Sequence, residues 1–255
     1  MLLIALLSTL LPIIAPADLP SAANRRAAFD HVRQGRRFMA DEAFAKAAEA
    51  FTAAARLDPF LTEAHYGLGQ ANMALKEYQD AVRAFEKART TFHLVASDAS
   101  LRSIENDNAI DDRIRQLQDS IEELRSRGRQ GGGSATGLRQ AENRILQYEA
   151  EIDMLQRGRL TNAKTAPQTP PSLSLALGSA YFRTGRLQDA EREYRAALDV
   201  APNMGESRNN LAVVLLLSGR PADAKDQIRL AEKAGFRVNE GLKKDIDKAV
   251  SGQQP

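Results

Sequence analysis

Residues Ala176 to Pro202 read ALGSAYFRTGRLQDAEREYRAALDVAP. The stretch carries Leu177-Gly178, then Tyr181, then Gly185-Arg186, Leu187, Ala190, Tyr194, Ala197 and Pro202. Small and large apolar residues at helical spacing predict two helices joined by a short turn. If this order recurs, the chain is an array of stacked units, and a binding scaffold is a better expectation than an enzyme.

The order does recur. GRRFMADEAFAKAAEAFTAAARLDP supplies Gly35, Phe38, Phe44, Ala47, Phe51, Ala54 and Pro59. YGLGQANMALKEYQDAVRAFEKA supplies Leu68, Gly69, Tyr78, Ala81, Phe85 and Ala88. LAVVLLLSGRPADAKDQIRLAEKAG supplies Leu211, Ala212, Leu215, Ala224, Ile228 and Ala231. Gly35 and Gly69 are 34 residues apart, as are Gly178 and Ala212. A 34-residue period with this order of residues resembles the tetratricopeptide repeat, TPR. The resemblance covers four units, 28–61, 62–92, 171–204 and 205–238. It implies an all-α fold, a right-handed solenoid of helix pairs with a concave face.

The spacing has a physical cause. The small residues 35, 69, 178 and 212 let the two helices of a unit approach, and Ala47, Ala81, Ala190 and Ala224 do the same from the second helix. The aromatic or Ile four residues later fills the space beside that contact. Pro59 and Pro202 close second helices, because the residue before a proline is pushed out of helical conformation. There are departures. Gln34 replaces the Leu of the Leu-Gly pair, the second unit lacks its closing proline after Thr91-Phe92-His93, and the fourth has Pro221 in a first turn and Gly235 at its end. Residues 239–250 read as an amphipathic capping helix, with a disordered tail over 251–255.

Residues 93–158 do not keep the period. Ile110, Ile114, Leu117, Ile121 and Leu124 form one stripe, and Leu138, Ala141, Ile145, Tyr148, Ile152 and Leu155 form another, both at heptad-like spacing. Glycine-rich residues 128–137 lie between them, which predicts an antiparallel, coiled-coil-like hairpin with a flexible tip. Asp98 or Ser100 would cap its first helix. That helix would span about 45 Å at roughly 1.5 Å per residue and project beyond the repeats. The hairpin base would act as a stretched, degenerate repeat between the two TPR pairs. The stripes either pack on each other or pair with a second copy or a partner helix. Residues 159–170 form a proline-rich linker, with Thr169 as a candidate cap and Pro171 in the first turn of the next helix.

The 255 residues include 35 Lys and Arg, 33 Asp and Glu, and no Cys. That balance gives no basic footprint for nucleic acid, and the missing Cys removes disulfides, thiolate catalysis and Cys-ligated zinc. Leu2–Ile14 is an uncharged apolar run followed by Ala15-Pro16-Ala17, the pattern of a secretory signal over 1–17 that would be cut after Ala17, with a linker over 18–27. No Lys or Arg precedes the run. Resemblance to short exported TPR proteins implies a bacterial periplasmic or secreted protein. No later segment reads as a membrane span in the mature chain.

Catalytic chemistry has no foothold. His31 and His65 are 34 residues apart and occupy the same place in consecutive units, so packing explains them better than metal binding. His93 stands alone, and Gly131-Gly132-Gly133 lacks the Lys-Ser/Thr of a phosphate loop. No metal, cofactor or enzymatic activity is expected. The family resemblance implies that each unit's first helix lines the concave groove. Helical spacing then gives Val32, Arg36 and Met39; Tyr66, Gln70 and Met73; Leu175, Ser179 and Phe182; and Asn209, Val213 and Leu216. This soft apolar lining suits an amphipathic helix or an extended apolar peptide, unless neighbouring helices or the hairpin cover it. A carboxylate clamp of the kind some relatives use is not expected, since of the corresponding positions Val32, Arg36, Gly67, Ser172 and Ala176 only Arg36 could serve. The expected function is a scaffold or adaptor for a protein or peptide partner in envelope assembly or secretion. The alternative is a homo-oligomer formed through the hairpin, with the repeats as spacer.

Overall fold

A computed structural model describes residues 19–97, 99–129, 135–158 and 168–252. Among the described residues there are eleven helices and no strand. They are α1 (Ala22–Ala40), α2 (Phe44–Leu57), α3 (Thr62–Ala74), α4 (Tyr78–Ser97), α5 (Ala99–Arg129), α6 (Ala135–Gly158), α7 (Pro171–Arg183), α8 (Leu187–Val200), α9 (Gly205–Leu217), α10 (Pro221–Lys233) and α11 (Glu240–Val250). Two compact units result. Of the described residues, one holds those up to Leu94 together with those from Gln168 onward, and the other holds those from Val95 to Gly158. The candidate secretory signal over 1–17 lies outside the described residues.

In the first unit the helices pair in chain order, α1 with α2, α7 with α8 and α9 with α10, and each pair packs on the next through α2–α3 and α8–α9. The second-helix alanines are the tightest points: Ala47, Ala54, Ala81, Ala88, Ala190, Ala197, Ala224 and Ala231 have no exposed surface. Across from them the small residues serve rings rather than backbones. A methyl on Gly35 would sit 2.7 Å from the Phe51 ring, on Gly69 2.5 Å from Phe85, and on Gly178 2.7 Å from Tyr194. Phe51 is gripped from both sides, because a methyl on Gly67 of the following unit would lie 2.4 Å from it. The fourth unit changes both members together, with Ala212 opposite the smaller Ile228, and both are buried. Counting 34 residues further reaches Ile246 in α11. No second helix follows α11 among the described residues, and the large aliphatic itself fills the space, 1% exposed.

The turn inside each unit also repeats. Glu42 (φ 55°), Lys76 (φ 64°), Gly185 (φ 77°) and Gly219 (φ 74°) occupy the same left-handed position. In each, an amide just past the first helix reaches back to a carbonyl five residues earlier, as Ala43 does to Phe38 and Arg186 to Tyr181, both within 2.9 Å. Only glycine adopts this conformation without a Cβ penalty, so the first two units carry a strain the last two avoid. Side-chain caps occur on α1, from Ser21, and on α11, from Asn239, the first and last described helices.

The two pairs of units meet directly. Ala81, Val82, Phe85 and Ala88 of α4 share one apolar cluster with Leu173, Leu177 and Tyr181 of α7 and Tyr194 of α8. A degenerate repeat at the hairpin base is therefore not what joins them. A polar clasp spans the same junction. Tyr181 donates to Glu86 Oε1 at 2.6 Å, Arg89 Nη1 pairs with Glu193 Oε1 at 2.6 Å, and the Arg186 guanidinium lies 4.3 Å from the Tyr181 ring centroid. Where other consecutive units are joined by a short covalent turn, this one is joined by side chains.

Several boundaries differ from the sequence reading. Residues 22–27, expected as linker, form the start of α1 because Ser21 caps it by accepting from the Asn24 amide at 3.1 Å. Thr169 is not the cap of α7. Pro170 takes that position, and Thr169 Oγ1 instead lies 2.8 Å from His93 Nε2, so His93 does not stand alone. α5 starts at Ala99, ahead of Ser100, and Asp98 lies outside the described residues. The glycine-rich tip is shorter than 128–137, since α5 runs to Arg129 and α6 begins at Ala135, while 130–134 lie outside the described residues. So do 159–167 of the linker and 253–255 of the tail; Ser251 and Gly252 form a turn.

In the second unit α5 packs on α6. Arg113 pairs with Glu151 at 2.8 Å and Arg125 with Glu149 at 2.9 Å. The earlier residue of α5 meets the later residue of α6, which makes the pair antiparallel. Ile114, Leu117 and Ile121 are buried, while Ile110, Leu124, Ile145, Tyr148, Ile152 and Leu155 are half-buried. The Leu138 side chain lies outside the described residues. On α6, Leu146 and Met154 are 63% and 64% exposed, off the stripe that meets α5.

Candidate binding groove

The first helices α1, α3, α7 and α9 carry the twelve residues expected to line the groove. Met39, Met73, Phe182 and Leu216, the recurring large apolar position, are all half-buried. They pack on the core with one face and show the other. Tyr66, Leu175, Ser179, Asn209 and Val213 are half-buried as well, and Gln70 is exposed. The Tyr66 ring centroid lies 5.6 Å from that of Phe85. Arg36 is exposed and pairs with Glu63 of the next unit at 2.7 Å. Val32 is a correction. At 1% exposure it belongs to the core of the first pair, with Phe29, Phe51 and Ala64, and offers nothing to a ligand. Its short side chain ends inside the packing that Tyr66 and Leu175, at the same place in their units, extend past.

Four of the remaining residues converge. Met73 of α3, Ser179 and Phe182 of α7 and Val213 of α9 line one cleft of about 210 Å³, drawing on three consecutive units. Arg183, Tyr194 and Asn210 complete it. Ser179 Oγ donates to the Leu175 carbonyl at 2.9 Å, and the Tyr194 hydroxyl donates to Ser179 Oγ at 3.3 Å. Burial pushes the Tyr194 phenol above its ordinary pKa, which keeps it a neutral hydrogen-bonding group. Asn210 Oδ1 accepts from Asn209 Nδ2 at 3.2 Å. At the edge, the Arg183 guanidinium lies over the Tyr78 ring, 4.4 Å from its centroid, and donates to the Tyr78 hydroxyl.

Sequence reading missed three members of the cleft for different reasons. Tyr194 was read as a space-filling ring, which it is, but the hydroxyl on that ring carries polarity through to the groove side. Arg183 and Asn210 each follow an expected residue by one position, a rotation of about 100° that spacing alone does not fix.

A second cleft of about 320 Å³ lies between α10 and α11, against Ile228 and Ile246. Two ion pairs cross it, Lys225–Asp247 at 2.7 Å and Lys243–Glu232 at 3.0 Å. Its charges are already matched within the chain.

The titratable groups away from the groove are accounted for by packing. His65 is buried with Nε2 3.1 Å from the Pro59 carbonyl, and burial lowers its pKa. Asp58 in the same turn accepts from the Phe60 amide at 3.0 Å, and burial raises its pKa. Among the described residues no three His, Asp or Glu are grouped to hold a metal ion, and no helix is long and apolar enough to cross a membrane.

Residues 32–94 and 175–235 match the family model described as tetratricopeptide repeat. No curated protein matches the chain. Among solved structures the chain is similar to PilW, described as a widely conserved type IV pilus biogenesis factor, with 17% identity, TM-score 0.41, and 89% of this chain and 86% of that one covered. It is also similar to TTC0263, a thermophilic TPR protein of Thermus thermophilus, with 18% identity, TM-score 0.37, and 88% and 100% covered. A third is PilF of Pseudomonas aeruginosa, with 15% identity, TM-score 0.32, and 90% of each chain covered. The period, the size-matched interior of its helix pairs and the matched blocks agree: this chain is a tetratricopeptide repeat protein, of a family whose members generally act as non-catalytic protein-interaction scaffolds.

Proposed function

We propose that this protein is an adaptor that holds a segment of a partner protein in the groove lined by α3, α7 and α9. The observation that carries this reading is the cleft in which Met73, Ser179, Phe182 and Val213, residues of three units, come together. Apolar side chains there keep one face open, which a closed core would not leave, and a concave surface with a few placed polar groups is what a peptide site needs. The apolar run Leu2–Ile14 with Ala15-Pro16-Ala17 after it supports export, and with it a role in envelope assembly or secretion. The test is the double variant Met73→Glu, Phe182→Glu. It should abolish cross-linking of the protein to its partner in the native cell while helicity is unchanged; undiminished cross-linking removes the groove as the site.

A second reading is self-association through the hairpin, favoured by Leu146 and Met154, which lie 63% and 64% exposed on α6. Light scattering on the full chain, with and without Leu146→Glu and Met154→Glu, decides it. A monomer in both cases removes this reading.

A further inference from the structure

We propose that the cleft between α3, α7 and α9 is a single-residue pocket for a tyrosine side chain of the bound segment, with an acidic residue beside that tyrosine facing Arg183. This rests on the reading of the groove as a peptide site and adds what the site selects.

Size comes first. A cleft of about 210 Å³ is smaller than the roughly 300–1,000 Å³ of small-molecule sites. It cannot take a helix, whose diameter with side chains is about 10–12 Å. One aromatic ring fits the space. The walls agree, since Met73, Phe182 and Val213 are apolar and a methionine adapts to a ring face.

Polarity then separates tyrosine from the other rings. Tyr194 lines the cleft and is 1% exposed, so the part of it that the cleft meets is covered from bulk solvent. Its hydroxyl is linked there to Ser179 Oγ, and Asn210 stands beside it. Tyr194 itself is covered, but Ser179 and Asn210 are half-buried, and a leucine or phenylalanine would strip water from them and return no hydrogen bond. A phenol hydroxyl both donates and accepts, and so replaces that water. A site built around such groups rejects the analogue that lacks the hydroxyl.

Charge supplies the flank. Arg186, Arg192, Arg195 and Arg220 are each paired with a carboxylate. Arg183 instead lies on a neutral ring and hydroxyl at the cleft edge, where its charge is available to a carboxylate of the segment.

The test uses the full chain and four displayed heptapeptide pools whose central residue is fixed as Tyr, Phe, Leu or Lys. Enrichment is expected from the tyrosine pool, with Asp or Glu next to the fixed position. In the best peptide, Tyr→Phe should weaken binding about tenfold, which is the worth of a hydrogen bond in such a site. That ratio should fall to near one in Ser179→Ala/Asn210→Ala protein of unchanged helicity. Replacing the acidic neighbour by its amide should weaken binding to the wild type and leave binding to Arg183→Gln unchanged. Equal or better enrichment from the phenylalanine or leucine pool, abolished by Phe182→Glu, overturns the tyrosine assignment and leaves the groove standing. Enrichment that survives Phe182→Glu, or enrichment from no pool, overturns both.

Discussion

The repeats and the hairpin are both helical, yet they spend their apolar residues differently. In the repeats the glycines inside the first helices each face a ring that fills the space a side chain would take, as Gly35 and Gly67 face Phe51 and Gly69 faces Phe85. In the hairpin one stripe meets another, Ile114, Leu117 and Ile121 are buried, and Leu146 and Met154 are left exposed. Matched sizes specify one arrangement, because a void or a clash is felt at the level of a single methylene. A stripe of aliphatics specifies a face and leaves the choice of neighbour open.

The largest expected effect breaks that matching. Phe51→Ala removes a ring held between two glycines and should cost about 3–5 kcal/mol in urea unfolding. A loss below about 1 kcal/mol would mean the ring is not the keystone of the first pair. Next is the clasp. Glu193→Ala deletes the 5% exposed partner of Arg89 and should cost about 2–3 kcal/mol. Tyr181, whose phenol is pushed up to about 12 by burial and by its hydrogen bond to Glu86, adds a signature at high pH. Its contribution is complete below pH 10, the ordinary value, and is lost as pH rises through the folded value. Tyr181→Phe should remove that alkaline loss.

Smaller effects sharpen the contrast between repeats. Glu42→Gly and Lys76→Gly relieve the left-handed strain that Gly185 and Gly219 already avoid. Each should raise stability by about 0.5–1 kcal/mol, whereas Gly185→Ala should lower it. His65 makes the first pair sensitive to acid. Its folded pKa lies below the ordinary 6.5, so the unfolded chain takes up the proton first, and stability falls as pH drops from 6.5 toward the folded value. Asp58, raised above 3.8, works in the opposite sense and favours the folded state as pH falls. His65→Phe should flatten the decline just below pH 6.5 in a thermal melt series. The smallest effect should follow replacement of residues 95–167 by a short Gly/Ser linker. His93 and Thr169 are already hydrogen-bonded at 2.8 Å, so the ends need little span. The melting midpoint of the repeats should hardly move, and a large drop would show that the hairpin supports them.

Legibility followed the same divide. The 34-residue period exposed the paired helices, because matched packing must recur in the letters whenever it recurs in space. The turn position 42, 76, 185 and 219 recurs as well, but two of its four residues are not glycine, so its left-handed backbone left no consistent letter. Of the residues expected to line a groove, Met73, Ser179, Phe182 and Val213 share one cleft. Val32 does not, since a position whose longer residues Tyr66 and Leu175 reach the surface sinks into the core in a short one. The hairpin stripes were readable, but not the bare flank of α6.

The sequence by itself determined the helix pairs, their period and the sizes of the residues between them, since these are local and repeating constraints on one chain. Only the tertiary structure decided that Glu86, Arg89, Tyr181 and Glu193 clasp the two halves across the insertion, and that three units contribute to one cleft. Arg89 and Glu193 lie 104 positions apart, and the 34-residue period does not say that they meet. Their meeting follows from how the helices stack.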